Sequence, residues 1–271
     1  MMVAVDDAAI AQFRARGFAL LRGAVDGPRL RAEVEQTLAE SEARAHATEL
    51  TTFAFAPMMT ARTPCSLALV DALEPLAARL LDADVVPIRA KGVRYSGSTR
   101  WHPDSTRRSP SVGFIAYLDP LTATTGALRV LPASHRPESR ADVEACVAAA
   151  GKTPGASLDA ELALETRPGD LIVMDERLFH ASAGGVARLQ WRVDYVRAPT
   201  SPEEVEEARA LLASIFTPDW DGGYDPDVAP TYDEAWLASS RPSVARLEAL
   251  GVHVMARAQE AAMRARRARG E

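Results

Sequence analysis

Cysteine is nearly absent. Cys65 and Cys146 are the only two in 271 residues, too few for a disulfide framework or a thiolate zinc site. Lysine is as scarce: Lys91 and Lys152 stand among 31 basic residues, the rest being arginine. That imbalance, together with the abundance of alanine, reads as coding bias. There is no excess of positive charge. A net charge of −6 argues against a broad nucleic-acid footprint and gives no reason to expect binding to an anionic membrane. No apolar run approaches the ~18 residues of a membrane helix. The opening MMVAVDDAAI places two aspartates where a secretory leader would carry its apolar core, so the expected location is cytoplasmic. Histidine is limited to His46, His102, His135, His180 and His253, which bounds where metal chemistry can sit. What remains is ordinary globular composition, 47% hydrophobic and 25% charged, at a length that suits one large domain or two small ones.

Helical signals come first. Asp6 is placed to cap a short helix with Ile10, Phe13 and Phe18. Asp26-Gly27-Pro28 is a second start, proline being tolerated in a first turn, and Leu30, Val34 and Leu38 mark one buried face. Residues 50–64 lack helical period and read as a loop or short strand pair. Phe53, Phe55, Met58 and Met59 there suit either core or pocket. Ser66 is expected to cap a helix over Leu69, Leu73, Leu76 and Leu80, kinked or broken at Pro75.

From Val85 to Val196 the pattern turns to strands: Val85–Tyr95, Val112–Leu118, Ala127–Leu131, Leu162–Thr166, Asp170–Met174, Phe179–Ser182 and Leu189–Val196, with a helix inserted over Ser139–Ala150. Many short strands with regular turns predict a β-sandwich or barrel. Ser201-Pro202-Glu203-Glu204 opens a further helix. Pro218–Pro230 is a polar loop, and Ser243–Ala268 reads as one last helix with a basic, solvated end. The expectation is a single domain over 1–271, with helical support in 1–84, a β core in 85–197 and a C-terminal helical elaboration in 198–271.

His102-Pro103-Asp104 is the sharpest local feature. In extended chain, residues i and i+2 project to one side about 7 Å apart, so imidazole and carboxylate can converge on a metal ion. Alone, the tripeptide also fits a surface loop whose aspartate caps a turn. His180 follows the turn Pro168-Gly169-Asp170 and an apolar strand; alone it reads as a core histidine. Together, two histidines and one carboxylate leave three coordination positions open, which suits non-haem Fe(II). Zinc more often takes three histidines, or two with a glutamate. Arg192 lies twelve residues further on. Alternation puts Gln190, Arg192 and Asp194 on one face of the strand, and Trp191, Val193 and Tyr195 on the other. A buried arginine needs an anion, and its fork suits a bidentate carboxylate. That anion is either brought by a ligand or internal, with Asp194 and Asp175 as candidates.

In this order and spacing, His102-Pro103-Asp104, His180 and Arg192 resemble the phytanoyl-CoA dioxygenase family of Fe(II)/2-oxoglutarate oxygenases. Three further stretches agree: Phe13 to Gly23, Gly126-Ala127-Leu128-Arg129-Val130-Leu131-Pro132-Ala133-Ser134-His135-Arg136, and Pro168-Gly169-Asp170 through Ser182. The resemblance covers about residues 10–197, more weakly over 40–85, and nothing after Arg197 finds a counterpart. It implies a mainly β core with flanking α: a double-stranded β-helix of the jelly-roll, cupin-like kind, with N- and C-terminal helices. It implies Fe(II) as metal, 2-oxoglutarate and O2 as cosubstrates, and His102, Asp104 and His180 as iron ligands. Arg192 would pair with the distal carboxylate of 2-oxoglutarate, and Ser182 would contact the same cosubstrate. His135 matches a histidine whose role varies between structural support and substrate contact. Ala133 stands where glycine is common, so a turn needing φ > 0 there would strain it. Halogenating relatives replace the carboxylate at the Asp104 position, so its presence points to oxygen transfer or desaturation instead.

The implied function is hydroxylation of an unactivated C–H bond of a small molecule, placed by the family's breadth in specialised metabolism. A fatty acyl-CoA hydroxylase would want a long apolar channel and a basic phosphate site. A non-catalytic metal-binding β-barrel would have no use for Arg192. Trp101, Arg107 and His135 are candidate substrate contacts, although the pair Arg107-Arg108 also fits a solvated surface. The segment 218–232, with Trp220 and Tyr224, is expected to close over the site as a lid. No nucleic-acid or membrane partner is expected, and monomer and homodimer both remain open.

Overall fold

The computed structural model describes residues 6–106, 109–149, 153, 155–217 and 223–270. In chain order, α1 (Asp7–Arg16) leads to β1 (Phe18–Leu21), α2 (Gly27–Glu40), the hairpin of β2 (His46–Ala47) and β3 (Thr51–Pro57), and α3 (Pro64–Leu81). Next come β4 (Val85–Pro87), β5 (Lys91–Gly97), β6 (Ser111–Tyr117), β7 (Leu128–Val130), α4 (Arg140–Ala149), β8 (Leu162–Leu164), β9 (Leu171–Asp175), β10 (His180–Ser182) and β11 (Arg188–Arg197). Helices α5 (Pro202–Ile215), α6 (Glu234–Leu237), α7 (Pro242–Leu250) and α8 (Val252–Ala268) follow.

The strands form two antiparallel sheets. The larger runs β1-β9-β6-β11-β5-β3-β2, with β4 also on β11; the smaller runs β10-β7-β8. Side chains of a strand alternate between faces, and both faces of the larger sheet are covered. Ile115, Tyr117, Ile172 and Met174 meet Leu128, Val130 and Leu164 of the smaller sheet. Their neighbours Val112, Phe114, Leu171 and Val173 join Leu30, Val34, Leu69 and Leu73 of α2 and α3 in the main core. This is the double-stranded β-helix, with helices against the outer face of its larger sheet.

Strand β11 departs from apolar burial on one face. Leu189, Trp191, Val193 and Tyr195 enter the main core, while Arg188, Gln190 and Arg192 line a cavity inside the barrel. Trp191 is fully buried, and its ring N–H donates to Ser66 Oγ at 2.7 Å, which in turn donates to the Met58 carbonyl at 2.7 Å. A large ring with its polar atom satisfied anchors this strand.

Several elements differ from the sequence reading. Of the two readings for residues 50–64, loop or short strand pair, the strand holds: β3 pairs with β2 and with β5 of the large sheet. Val85–Tyr95 is two strands, because β4 and β5 meet different stretches of β11 (Tyr195↔Pro87, Arg192↔Lys91) with Ile88-Arg89-Ala90 between them. Ser66 does not cap α3. The Glu33 carboxylate on α2 accepts the Cys65 and Ser66 N–H groups at 2.8 and 2.7 Å, which frees the serine hydroxyl for Trp191. Pro75 leaves α3 continuous, held by the buried Leu73, Leu76 and Ala77 around it. The last helix is two, because Gly251 takes φ 73° and ends α7. Ala133 does adopt φ 66°, a conformation that costs a residue with a Cβ; its N–H donates to the Arg16 carbonyl at 2.9 Å, so a tertiary bond holds the turn.

Candidate metal centre

His102 and His180 face each other across the seam between the two sheets. Each backbone N–H donates to the other's carbonyl, at 3.1 and 2.9 Å. His102 Nδ1 lies 2.8 Å from the Arg100 carbonyl and His180 Nδ1 2.9 Å from the Leu178 carbonyl. A carbonyl only accepts, so Nδ1 carries the proton in both rings and each Nε2 presents a lone pair. Asp104 Oδ1 stands 3.7 Å from His102 Nε2 and 3.5 Å from His180 Nε2. Donor atoms of all three residues fall within 4.8 Å of one another. Burial, and then the neighbouring His180, push His102 below its ordinary value, which favours the neutral imidazole that a metal requires.

Behind this triad Arg192 is enclosed by carboxylates: Asp194 Oδ1 at 2.5 Å, Asp104 Oδ2 at 2.7 Å and Glu176 Oε1 at 2.9 Å. Gly113 on the neighbouring strand makes room, since a Cβ there would come within 3.0 Å of Asp194 Oδ1 and 3.3 Å of Arg192 Nη2. The internal partner, one of the two readings open from sequence, is therefore the one the fold provides. Burial works against the Asp104 carboxylate, but Arg192 outweighs it and holds its pKa well below the carboxylate range.

Glu176 goes the other way. Burial, and then repulsion from Asp194, push it up to about 8. Between its ordinary 4.5 and about 8 the folded chain keeps a proton that the unfolded chain has lost. Its contribution to stability is therefore present at low pH and is lost as pH rises through that window. Glu176→Gln still offers Arg192 an acceptor and removes this slope. Thermal midpoints of the variant should fall less than those of the parent between about pH 5 and pH 8, the gap widening with pH; parallel profiles would refute the assignment.

The triad opens on a cavity of about 430 Å³, within the range of small-molecule pockets. Ser182 lines it, beside Thr99, whose hydroxyl lies 3.4 Å from Ser182 Oγ and accepts the Ser182 N–H at 2.8 Å. Arg188 is a wall residue that the sequence reading passed over. It is 3% exposed and donates to the Gly126 and Gly97 carbonyls at 2.5 and 2.9 Å; its Nε is buried without a partner. Gly126 and Gly185, both at positive φ, cradle it: a Cβ on either would stand 2.7 Å from its side chain. Unlike Arg192, it pairs with no carboxylate among the described residues. The signal was the alternation itself, because β11 starts at Arg188, one residue earlier than expected.

The other sequence candidates lie elsewhere. Trp101 packs with Leu131, Leu158, Phe179 and Ala181, and its ring N–H donates to the Ala156 carbonyl at 2.9 Å. His135 sits against Gly17 and Leu178, outside the cavity wall. Arg107 lies outside the described residues. Phe53 and Phe55 do line the cavity, while Met58 and Met59 are core. Of the expected lid, 218–222 lie outside the described residues. From Gly223 onward the segment is fixed rather than hinged, with Tyr224, Thr231 and Tyr232 buried and Tyr224 against Phe55. The C-terminal region instead closes the cavity with Ser214, Ile215, Thr217 and Gln259.

Among solved structures the chain is similar to AviO1 from Streptomyces viridochromogenes Tue57, at 24% identity and a TM-score of 0.57, covering 73% of this chain and 99% of that one. It is similar to HygX from Streptomyces hygroscopicus, solved with nickel and 2-oxoglutarate bound (19% identity, TM-score 0.55, 72% and 88% covered). It is also similar to the non-heme alpha ketoglutarate dependent epimerase SnoN from nogalamycin biosynthesis (18%, 0.56, 71% and 83%). No curated protein matches. Identities this low speak for a shared fold. The sequence itself goes further: the profile of phytanoyl-CoA dioxygenase (PhyH) matches residues 3–188, a span that holds all three converging donors and ends on Arg188, and the chain belongs to that family.

Proposed function

We propose that the protein is an Fe(II)- and 2-oxoglutarate-dependent oxygenase that hydroxylates an unactivated C–H bond of a small molecule. The observation that carries this is the convergence of two imidazole Nε2 atoms and one carboxylate oxygen on a single point open to the cavity. The residues fit the metal: both rings are fixed by carbonyls on Nδ1, and three donors with the remaining positions open suit non-haem iron. HygX, crystallised with nickel and 2-oxoglutarate, and the ketoglutarate-dependent SnoN support the cosubstrate. When bound, iron with 2-oxoglutarate and O2 supplies an oxidant able to attack an unactivated C–H bond.

The chain's own part is positioning. Arg192 keeps Asp104 ionised and occupies Oδ2, so that Oδ1 is presented beside the two imidazoles. Arg188, rather than the filled fork of Arg192, receives the distal carboxylate of 2-oxoglutarate, with the hydroxyls of Ser182 and Thr99 beside it. The buried, partnerless Nε of Arg188 and its lack of a counter-charge support that role.

Anaerobic addition of Fe(II) and 2-oxoglutarate should give a visible metal-to-ligand charge-transfer band, and its absence would overturn the reading. Arg188→Met should weaken 2-oxoglutarate binding by about 10–100-fold, of the order of losing one charge-assisted bidentate contact, while metal binding persists. An unchanged titration would return the role to another residue. Oxygen from labelled O2 in the product would establish hydroxylation over epimerisation.

A further inference from the structure

We propose that Arg89 and Lys91 form an oxyanion subsite in the same cavity, and that the substrate is a small molecule bearing a carboxylate or phosphate on an aromatic or otherwise apolar body. This rests on the oxygenase reading for the word substrate; the subsite itself is read from the wall.

Arg89 lies in the stretch between β4 and β5, where the backbone is tied on both sides: the Ile88 N–H donates to the Asp194 carbonyl and the Met58 N–H to the Ala90 carbonyl, both at 2.8 Å. The side chain is 6% exposed and lines the cavity. Its guanidinium carbon stands 4.5 Å from the ring centre of Phe55 and 5.1 Å from that of Phe216. Rings cover a guanidinium by its faces and leave its in-plane N–H groups to be satisfied. Here Nε and Nη1 are buried with no hydrogen-bond partner, and Arg89 makes no ion pair among the described residues.

A guanidinium does not shed its proton in a protein, and burying one without an anion is costly. The acidic groups around it do not serve. Burial pushes the Tyr224 phenol up to about 12 and Tyr232 higher still, so both are neutral. Asp194 is taken by Arg192 at 2.5 Å and by Lys91 at 3.9 Å. Around the cavity stand Arg89, Lys91, Arg188 and Arg192, against the carboxylates of Asp104, Asp194 and Glu176. Among the described residues cations exceed anions as long as Lys91 keeps its charge, which burial limits to below about pH 8, and Fe(II) with dianionic 2-oxoglutarate adds no net charge. An oxyanion on the substrate supplies the missing charge. The planar fork of Arg89 matches its oxygen pair, and the Phe53 and Phe55 rings on the same wall suit an apolar body.

The test uses protein loaded with Ni(II) and saturating 2-oxoglutarate, titrated calorimetrically with benzoate, phenyl phosphate and neutral benzamide. At least one oxyanion should bind tenfold or more tightly than benzamide, and which one does so separates carboxylate from phosphate. Arg89→Met should abolish that preference and leave benzamide affinity unchanged, while Arg89→Lys restores part of it. Without ligand, Arg89→Met should unfold at the same temperature or a few degrees higher, because an uncompensated charge has been removed. The proposal fails if no oxyanion outbinds benzamide or if Arg89→Met keeps the preference. It fails too if that variant unfolds at lower temperature, which would reveal an internal counter-charge, or if it loses 2-oxoglutarate affinity, which would assign Arg89 to the cosubstrate. If the parent lacks the Fe(II)/2-oxoglutarate band, the oxygenase reading falls, while the same titration on the metal-free chain still reads the subsite.

Discussion

His180→Ala should cost at least about 1000-fold in metal affinity, with loss of the visible band and of turnover. Losing a group that merely orients a ligand costs about 10–100-fold, and this substitution removes the donor itself. Two donors, His102 and Asp104, would be left to hold the ion. The fold should survive, because the bonds that join the two histidines across the seam are between backbone groups and alanine keeps them. Metal content after dialysis and the anaerobic spectrum are the measurements. A variant that retains stoichiometric metal, or gives the parent band, would remove His180 from the centre.

Arg192→Met should be the most destabilising single change near the site, by about 3–5 kcal/mol. The side chain is 14% exposed and its three partners 24%, 10% and 13%, so solvent screens the cluster little. Methionine replaces much of the volume but leaves the Asp104 and Asp194 carboxylates, beside the protonated Glu176, without their cation. At 2–4 °C per kcal/mol for a domain of this class, the thermal midpoint should drop by roughly 10 °C. Two further readouts separate this from a lost packing contact. The gap between variant and parent should narrow as pH falls, because the stranded carboxylates take up protons. Ni(II) should recover part of it, because the ion returns a positive charge beside Asp104. A midpoint within a degree or two of the parent at pH 7 would show the cluster to be solvated.

The triad was legible because its members are local signals: an i, i+2 pair in extended chain, and a histidine opening a strand after a turn. The two faces of β11 were legible for the same reason, through the period-two alternation of Leu189, Trp191 and Val193 against Gln190 and Arg192. The misses have physical causes. Trp101 is adjacent to His102, and neighbours in extended chain project oppositely, so adjacency to a ligand placed it in a different cluster. Arg188 was lost by starting its strand one residue late. Arg89 was hidden inside a run read as one strand, whose break arises only from where β4 and β5 meet β11. Thr217 and Gln259 reach the cavity through the packing of α5 and α8, a tertiary outcome with no local trace. From Gly223 onward the expected lid is packed down instead, since aromatic residues in a polar stretch suit a buried contact as well as a hinge.

The reciprocal backbone bonds between His102 and His180 bear on metal selection. With the carbonyls on each Nδ1, they fix both donor rings before any ion arrives, so the ordering of the chelate belongs to folding and contributes little to binding. Ions of one charge should then be ranked by ligand chemistry and coordination preference, and exchange among them should leave the cooperativity of unfolding unchanged.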